Sequence, residues 1–202
     1  MALNSGGVVL CGGQSKRMGG PKEWLRCGDE YLLERVVRLV GAAVHPVVVA
    51  ARESQDLPPL PPAVRVVRDR VSDCGPLAGI AAGFEALAGR CDAAFLTSCD
   101  HPLLRSGFVK RLLDLLGSHT AVVPVHEGQM YPLTAVYRLE THVQLQRLLR
   151  GPDRSAGGFA AACGALLIPA AQLADIDPHL ESLQNVNDPT AYDWVKHSQG
   201  WE

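Results

Sequence analysis

The segment Gly12-Gly13-Gln14-Ser15-Lys16-Arg17-Met18-Gly19-Gly20-Pro21-Lys22 puts four glycines and three cations into eleven positions. That composition suits an anion cradle. Glycines let the backbone approach phosphate oxygens closely, and consecutive N–H groups in such a nest converge on one anion. Lys16, Arg17 and Lys22 can neutralise a triphosphate, each charge pair at about 4 Å contributing roughly 4 kcal/mol at an effective dielectric near 20, before desolvation is subtracted. Neither of the two commonest phosphate loops is present: Lys22 lies between Pro21 and Glu23, and the adjacent Gly12 and Gly13 break G-x-G-x-x-G. Glycines and lysines also make solvated surface loops. The position of this loop, directly after the short apolar run Gly7-Val8-Val9-Leu10-Cys11, favours the cradle.

A second group of candidates follows Ala93-Ala94-Phe95-Leu96-Thr97, a run that reads as a strand and delivers Asp100 into Ser98-Cys99-Asp100-His101-Pro102. A triphosphate binds Mg2+ through its own oxygens and needs only one or two protein carboxylates to complete the shell, so Asp100 is the candidate metal ligand. The same position also suits an aspartate that caps a turn or helix. His101 is assigned no catalytic role. Asn185 and Asn187, two amides on alternate residues of Asn185-Val186-Asn187-Asp188-Pro189, could meet phosphate or metal-bound water without adding charge. They also suit a turn in which Asn187 or Asp188 caps a helix over Thr190 to Lys196. Six cysteines occur with no C-x-x-C pair, which predicts reduced thiols; Cys11 and Cys99 stand out because both end apolar runs next to the candidate site.

The elements that must position these groups alternate. Strands are expected at Gly7–Cys11, Val47–Ala51, Val64–Val67 and Ala93–Thr97. Helices are expected at Tyr31–Ala43, Pro76–Leu87 and Leu103–Leu116. Leu57 to Pro62 carries too many prolines for regular structure. The helix from Pro76 has a small face of Ala78, Gly79, Ala82 and Gly83 that permits close packing on a sheet. Alternation of strand and helix predicts an α/β fold: a three-layer α/β/α sandwich with a mainly parallel, Rossmann-like sheet and ligands outside the carboxyl ends of the strands. The second half is less regular. Strands are read at Ala121–Val125, Leu133–Tyr137 and Leu166–Ile168, a helix at Glu140–Leu149, and a turn or mobile segment at Gly151–Gly158.

Leu10-Cys11-Gly12-Gly13-Gln14-Ser15-Lys16-Arg17-Met18-Gly19-Gly20-Pro21-Lys22 resembles the L-x-G-G-x-S-x-R-M-G-x-x-K loop of nucleotidyltransferases with a glycosyltransferase-like α/β fold. Its double glycine is similar to that of the molybdenum cofactor guanylyltransferases. Cys99-Asp100-His101-Pro102 resembles the family's C-D-x-P, whose aspartate holds the metal. Gly75-Pro76-Leu77-Ala78-Gly79 resembles its G-P-L-x-G, and Asn185-Val186-Asn187-Asp188-Pro189 its N-V-N-x-P. The resemblance implies a nucleotide site of Leu10, Cys11, Gly12, Gly13, Ser15, Arg17, Lys22, Asp69, Gly75, Pro76, Leu77 and Asp100. It implies catalytic roles for Arg17, Lys22 and Asp100, with Asp100 on Mg2+ and Asn185 and Asn187 toward the acceptor or its phosphate. Two positions depart from the pattern: Ala50 stands where the family often has an asparagine that contacts the nucleotide, and Tyr131 replaces the histidine of H-P-L-x-A-L-Y. The implied reaction transfers GMP from Mg-GTP to the terminal phosphate of molybdopterin, or of its molybdenum-loaded form, releasing pyrophosphate. Transient contact with a molybdoenzyme or a cofactor-assembly protein is also implied.

Bulk properties narrow the alternatives. The 202 residues, 47% hydrophobic and 20% charged, fit one domain over residues 1–202. A formal charge of −2 gives no general field for nucleic acid or an anionic membrane. No apolar run approaches the ~18 residues of a membrane span, and Met1-Ala2-Leu3-Asn4-Ser5 has no signal-peptide character, so a cytoplasmic protein is expected. Two competing readings stay open: a cytidylyl or sugar-nucleotide transferase on the same fold, and a non-catalytic nucleotide-binding module that delivers cofactor.

Overall fold

The computed structural model describes residues 3–12, 18–69 and 75–201, with only the backbone at Asp69. β1 (Ser5–Cys11) is buried along nearly its whole length, as its unbroken apolar run requires. A 3-10 turn (Lys22–Trp24) and a small hairpin of β2 (Arg26–Cys27) and β3 (Glu30–Tyr31) lead into α1 (Leu32–Gly41). α1 starts at Leu32 because the Glu34 carboxylate accepts a 2.6 Å hydrogen bond from the Tyr31 N–H, and it buries Leu32, Leu33, Val36, Val37 and Val40. Then come β4 (Val47–Arg52), β5 (Arg65–Asp69), α2 (Pro76–Leu87), β6 (Ala93–Ser98) and α3 (Ser106–Leu116). The second half contains β7 (Ala121–His126), β8 (Gln129–Met130), β9 (Ala135–Arg138), α4 (His142–Leu149), α5 (Ala156–Ala162), β10 (Leu166–Pro169) and α6 (Pro189–Gln199).

The eight-stranded sheet has the order β10-β7-β9-β6-β1-β4-β5, with β8 paired to β7. β1 is parallel to both β4 and β6, β4 to β5 and β7 to β10; β9 is antiparallel to β6 and β7. The β7–β9 connection holds no crossover helix, so β9 must return antiparallel. The expected mainly parallel α/β sheet is therefore present, with helices on both faces. Odd residues of β1, Val9 and Cys11, join α1 and α3 on one face, while Val8 and Leu10 join α2, α4 and α5 on the other. Both faces come very close to β1. A Cβ at Gly83 of α2 would lie 2.5 Å from Val8 Cγ1, and one at Gly7 would lie 2.4 Å from Val40 Cγ1. The small-residue face expected on α2 is thus in use at Gly79 and Gly83.

Several boundaries differ from the sequence reading. Residues 103–105 belong to the turn before α3, because the Arg105 N–H donates to Ser182 Oγ at 3.0 Å instead of waiting for a helical partner. Residues 133–134 form a turn, closed by Thr134 N–H to Tyr131 O at 3.0 Å, ahead of β9. The segment read as a turn or mobile stretch ends in α5, whose start is fixed by Ser155 Oγ accepting from the Gly158 N–H at 2.9 Å.

Candidate active site

The chain runs from β1 to β4 and β5 on one side, then returns to β6 on the other. The gap between the carboxyl ends of β1 and β6 is therefore a topological switch point, where open α/β sheets leave a crevice for ligands. Gly12, exposed, leaves the end of β1, and Asp100 leaves the end of β6; the Cys99 N–H donates to Leu10 O at 2.9 Å and holds the two ends together.

Three segments far apart in sequence converge here. Lys22 Nζ donates to Asp100 Oδ2 at 3.0 Å and to Asn187 Oδ1 at 2.6 Å. The Val186 N–H donates to Asp100 O at 2.8 Å, so the backbone of the asparagine segment is also fastened to the aspartate turn. Asp188 caps α6 by accepting from the Ala191 N–H at 2.9 Å, which leaves the Asn187 side chain to face Lys22. Asn185 is exposed and Asn187 half-buried, with Val186 buried between them.

The other oxygen of Asp100 is held from behind. Ser98 Oγ donates to Oδ1, and His101 Nδ1 lies 3.1 Å from Ser98 Oγ and 3.3 Å from Oδ1. His101 Nε2 in turn meets Thr134 Oγ1 at 3.2 Å, and both residues are buried. Each ring nitrogen of His101 thus has an oxygen partner, Ser98 and Asp100 at Nδ1 and Thr134 at Nε2. Burial alone would raise the Asp100 carboxyl, but hydrogen bonds from His101 and Ser98 and the charges of His101 and Lys22 more than reverse that. The carboxyl is held well below the ordinary carboxylate range.

The 3-10 turn that carries Lys22 is anchored by a residue with no signal in the sequence. Gln55 Nε2 donates to the buried Glu23 carboxylate at 2.5 Å and to Cys11 Sγ at 3.6 Å, while its Oε1 accepts from the Arg52 N–H at 3.2 Å. One amide thus ties the turn to the ends of β1 and β4. Ser98 could have been found as the polar residue closing a buried strand. Thr134 and Gln55 could not, because each comes from a distant segment.

Of the nucleotide-site candidates, Leu10, Cys11 and Leu77 are buried in the core on either side of the sheet. Gly75 precedes α2 with a φ of 59°, which favours glycine, and Pro76 occupies the first turn, so at the helix N-terminus the N-cap residue itself brings no capping side chain. A Cβ on Gly79, one turn further on, would lie 3.2 Å from Leu10 Cδ2, which places that N-terminus at the same sheet edge as Gly12. Gly13, Ser15, Lys16 and Arg17, the side chain of Asp69, and Cys74 lie outside the described residues. Cys11, Cys27, Cys91, Cys99 and Cys163 are free thiols. Cys99 is pushed well above its ordinary value, first by its hydrogen bond to Cys11 and then by burial, so it is a poor nucleophile at neutral pH.

Among the described residues no group of three His, Cys, Asp or Glu could hold a metal by itself. The pair of Asp100 Oδ2 and Asn187 Oδ1 still fits a hard divalent cation that draws its remaining ligands from phosphate and water. An ammonium already sits where these two oxygens converge. No helix among the described residues is long and apolar enough to cross a membrane.

Comparison with known proteins agrees with this geometry. Residues 7–162 match the family model described as the MobA-like NTP transferase domain. A protein of Methanothermobacter thermautotrophicus named as a probable molybdenum cofactor guanylyltransferase is 31% identical over 190 residues, covering 90% of this chain and 94% of that one. One of the same name from Mycobacterium bovis is 34% identical over 185 residues, covering 90% and 88%. In structure the chain is similar to molybdopterin-guanine dinucleotide biosynthesis protein A of Archaeoglobus fulgidus, with a TM-score of 0.79 at 20% identity over 96% of this chain and 98% of that one. It also shares its fold with 2-C-methyl-D-erythritol 4-phosphate cytidylyltransferase of Thermus thermophilus, with a TM-score of 0.67 at 18% identity over 99% and 100%. The chain thus belongs to the MobA-like NTP transferase domain family.

Proposed function

We propose that the protein transfers GMP from Mg-GTP to the terminal phosphate of molybdopterin, or of its molybdenum-loaded form, and releases pyrophosphate. The observation that carries the reading is the meeting of Lys22, Asp100 and Asn187 at the switch point. A cation of the loop, a carboxylate and a neutral oxygen donor are the parts a metal-triphosphate needs. The names of relatives at about 30% identity supply the base and the acceptor.

An acceptor phosphate oxygen attacks the α-phosphorus in line; the new P–O bond forms as the bond to the β-phosphate breaks, and pyrophosphate leaves with the electron pair. The acceptor is already an anion at neutral pH, so no general base is needed. Position and charge must do the catalysis. Asp100 Oδ2 and Asn187 Oδ1 would hold Mg2+, which when bound would steady and polarise the α-phosphate. Gly12 and Gly13 open the loop that cradles the phosphates. The family resemblance assigns Ser15, Arg17 and Lys22 to the triphosphate, with Arg17 and Lys22 to take up the charge of the departing pyrophosphate. The same resemblance assigns Leu10, Cys11, Asp69 and Gly75-Pro76-Leu77 to the nucleotide and Asn185 to the acceptor or its phosphate.

The base is tested with the four ribonucleoside triphosphates, Mg2+ and molybdopterin, reading pyrophosphate with pyrophosphatase and malachite green. GTP is expected to be preferred by a factor on the order of 10⁴, the scale of polar base readout. Preference for CTP would replace this reading with a cytidylyl transferase. Tight GTP binding without pyrophosphate release would replace it with a delivery module.

A further inference from the structure

We propose that Lys22 is a tethered stand-in for the divalent cation, and that metal and nucleotide enter this site together by taking over its partners. The inference rests on the reading of Asp100 and Asn187 as cation ligands and adds to it an exchange. Lys22 Nζ lies 2.6 Å from Asn187 Oδ1 and 3.0 Å from Asp100 Oδ2. A divalent ion at ~2.1 Å from the same two oxygens would overlap the ammonium, so the two cannot be bound at once. Asp100 has no second oxygen to offer, since Oδ1 is engaged by Ser98 with His101 behind it. The lysine therefore guards the carboxylate oxygen of Asp100 that Ser98 and His101 leave open.

Charge gives the exchange its direction. A lone metal ion must displace an ammonium that shares its chain and is always at hand. A triphosphate offers that ammonium other oxygens, carrying more negative charge than Asp100 and Asn187 together. Lys22, a point charge on a flexible stem, can swing from the protein oxygens to phosphate, and Oδ2 is then free. The protein without nucleotide should hold metal weakly, because its competent state is populated only in the fraction of molecules in which Lys22 has left. If that fraction is about one tenth or less, removing the ammonium raises the apparent metal affinity about tenfold or more.

The test measures Mn2+ binding to the full chain by the loss of the free-ion EPR signal, without nucleotide. Lys22→Met is expected to bind Mn2+ about tenfold or more tightly than wild type, and Lys22→Arg to stay within about threefold of it. Lys22→Gln gives the same comparison should Lys22→Met fold poorly. Damage to the fold would weaken binding, so a gain cannot arise from it. Unchanged or weaker Mn2+ binding in both neutral variants, with binding that still depends on Asp100, overturns the exchange and leaves the metal site standing. If Asp100→Asn binds Mn2+ as wild type does, the metal assignment itself falls and the exchange falls with it.

Discussion

Replacing Asp100 by Asn keeps the shape of the side chain and removes its charge, so its effects can be separated into stability and rate. At the 3.0 Å found between Lys22 Nζ and Oδ2, opposite charges interact by about 5 kcal/mol at an effective dielectric near 20 before desolvation. Only part of that is lost from stability. Both side chains keep 13% of their exposure, and the released ammonium can turn toward solvent. The remaining cost is a charge-assisted bond exchanged for a neutral one, about 1–3 kcal/mol, or roughly 2–10 °C in Tm for a chain of this size. Rate should suffer far more. Loss of one main electrostatic stabiliser lowers kcat by about 100- to 1,000-fold. The assay is pyrophosphate release at saturating donor and acceptor, beside a thermal melt of the same preparation. A folded variant whose kcat stays within about fivefold of wild type refutes the assigned role. A melt lowered by more than about 15 °C refutes the separation of terms, since Asp100 would then be mainly a folding element.

Thr134→Val conserves shape but leaves the buried ring nitrogen of His101 without its 3.2 Å partner, which should cost about 1–3 kcal/mol. A Tm within about 1 °C of wild type would show that the chain of bonds behind Asp100 carries no load. Because the Asp100 carboxyl is depressed in the folded protein, the stability it contributes is complete above its unfolded value near 3.8 and is lost as pH falls through the lower folded value. Denaturant titrations of wild type and Asp100→Asn should therefore differ by a constant amount from about pH 5 to 8, with the gap closing only below about pH 4; decay of the gap across the neutral range would contradict the depressed pKa.

The parts legible in the sequence are those whose physics is local. The run Val8 to Cys11 reads as a buried strand because it is apolar without a break, and the structure covers both of its faces. Asp100 could be placed at a strand end for the same reason. What sequence could not supply is the set of partners. Thr134 reaches His101 across 33 residues, and Gln55 reaches Glu23 and Cys11 across 32 and 44, with no periodicity to announce any of these contacts. Asn185 and Asn187 lie between these cases: Val186 between them is buried and bonded to the Asp100 carbonyl, as alternation in an extended stretch predicts, but the bond from Lys22 to Asn187 joins residues 165 apart and has no local signal.

Those unannounced partners explain why a single carboxylate can serve. A carboxylate alone at the crevice would rotate, and burial would favour its neutral form, so an arriving cation would have to order and ionise it. Ser98 and His101 hold one oxygen and stabilise the anion, while Lys22 and Asn187 fix the direction of the other. The charge and rotamer needed for cation binding are thus settled before any ligand enters, and little reorganisation remains when one does. That economy also dictates the position of Lys22. A carboxylate kept ionised and half-buried needs a counter-charge of its own, and Lys22, the cation proposed to meet phosphate, is the one that supplies it.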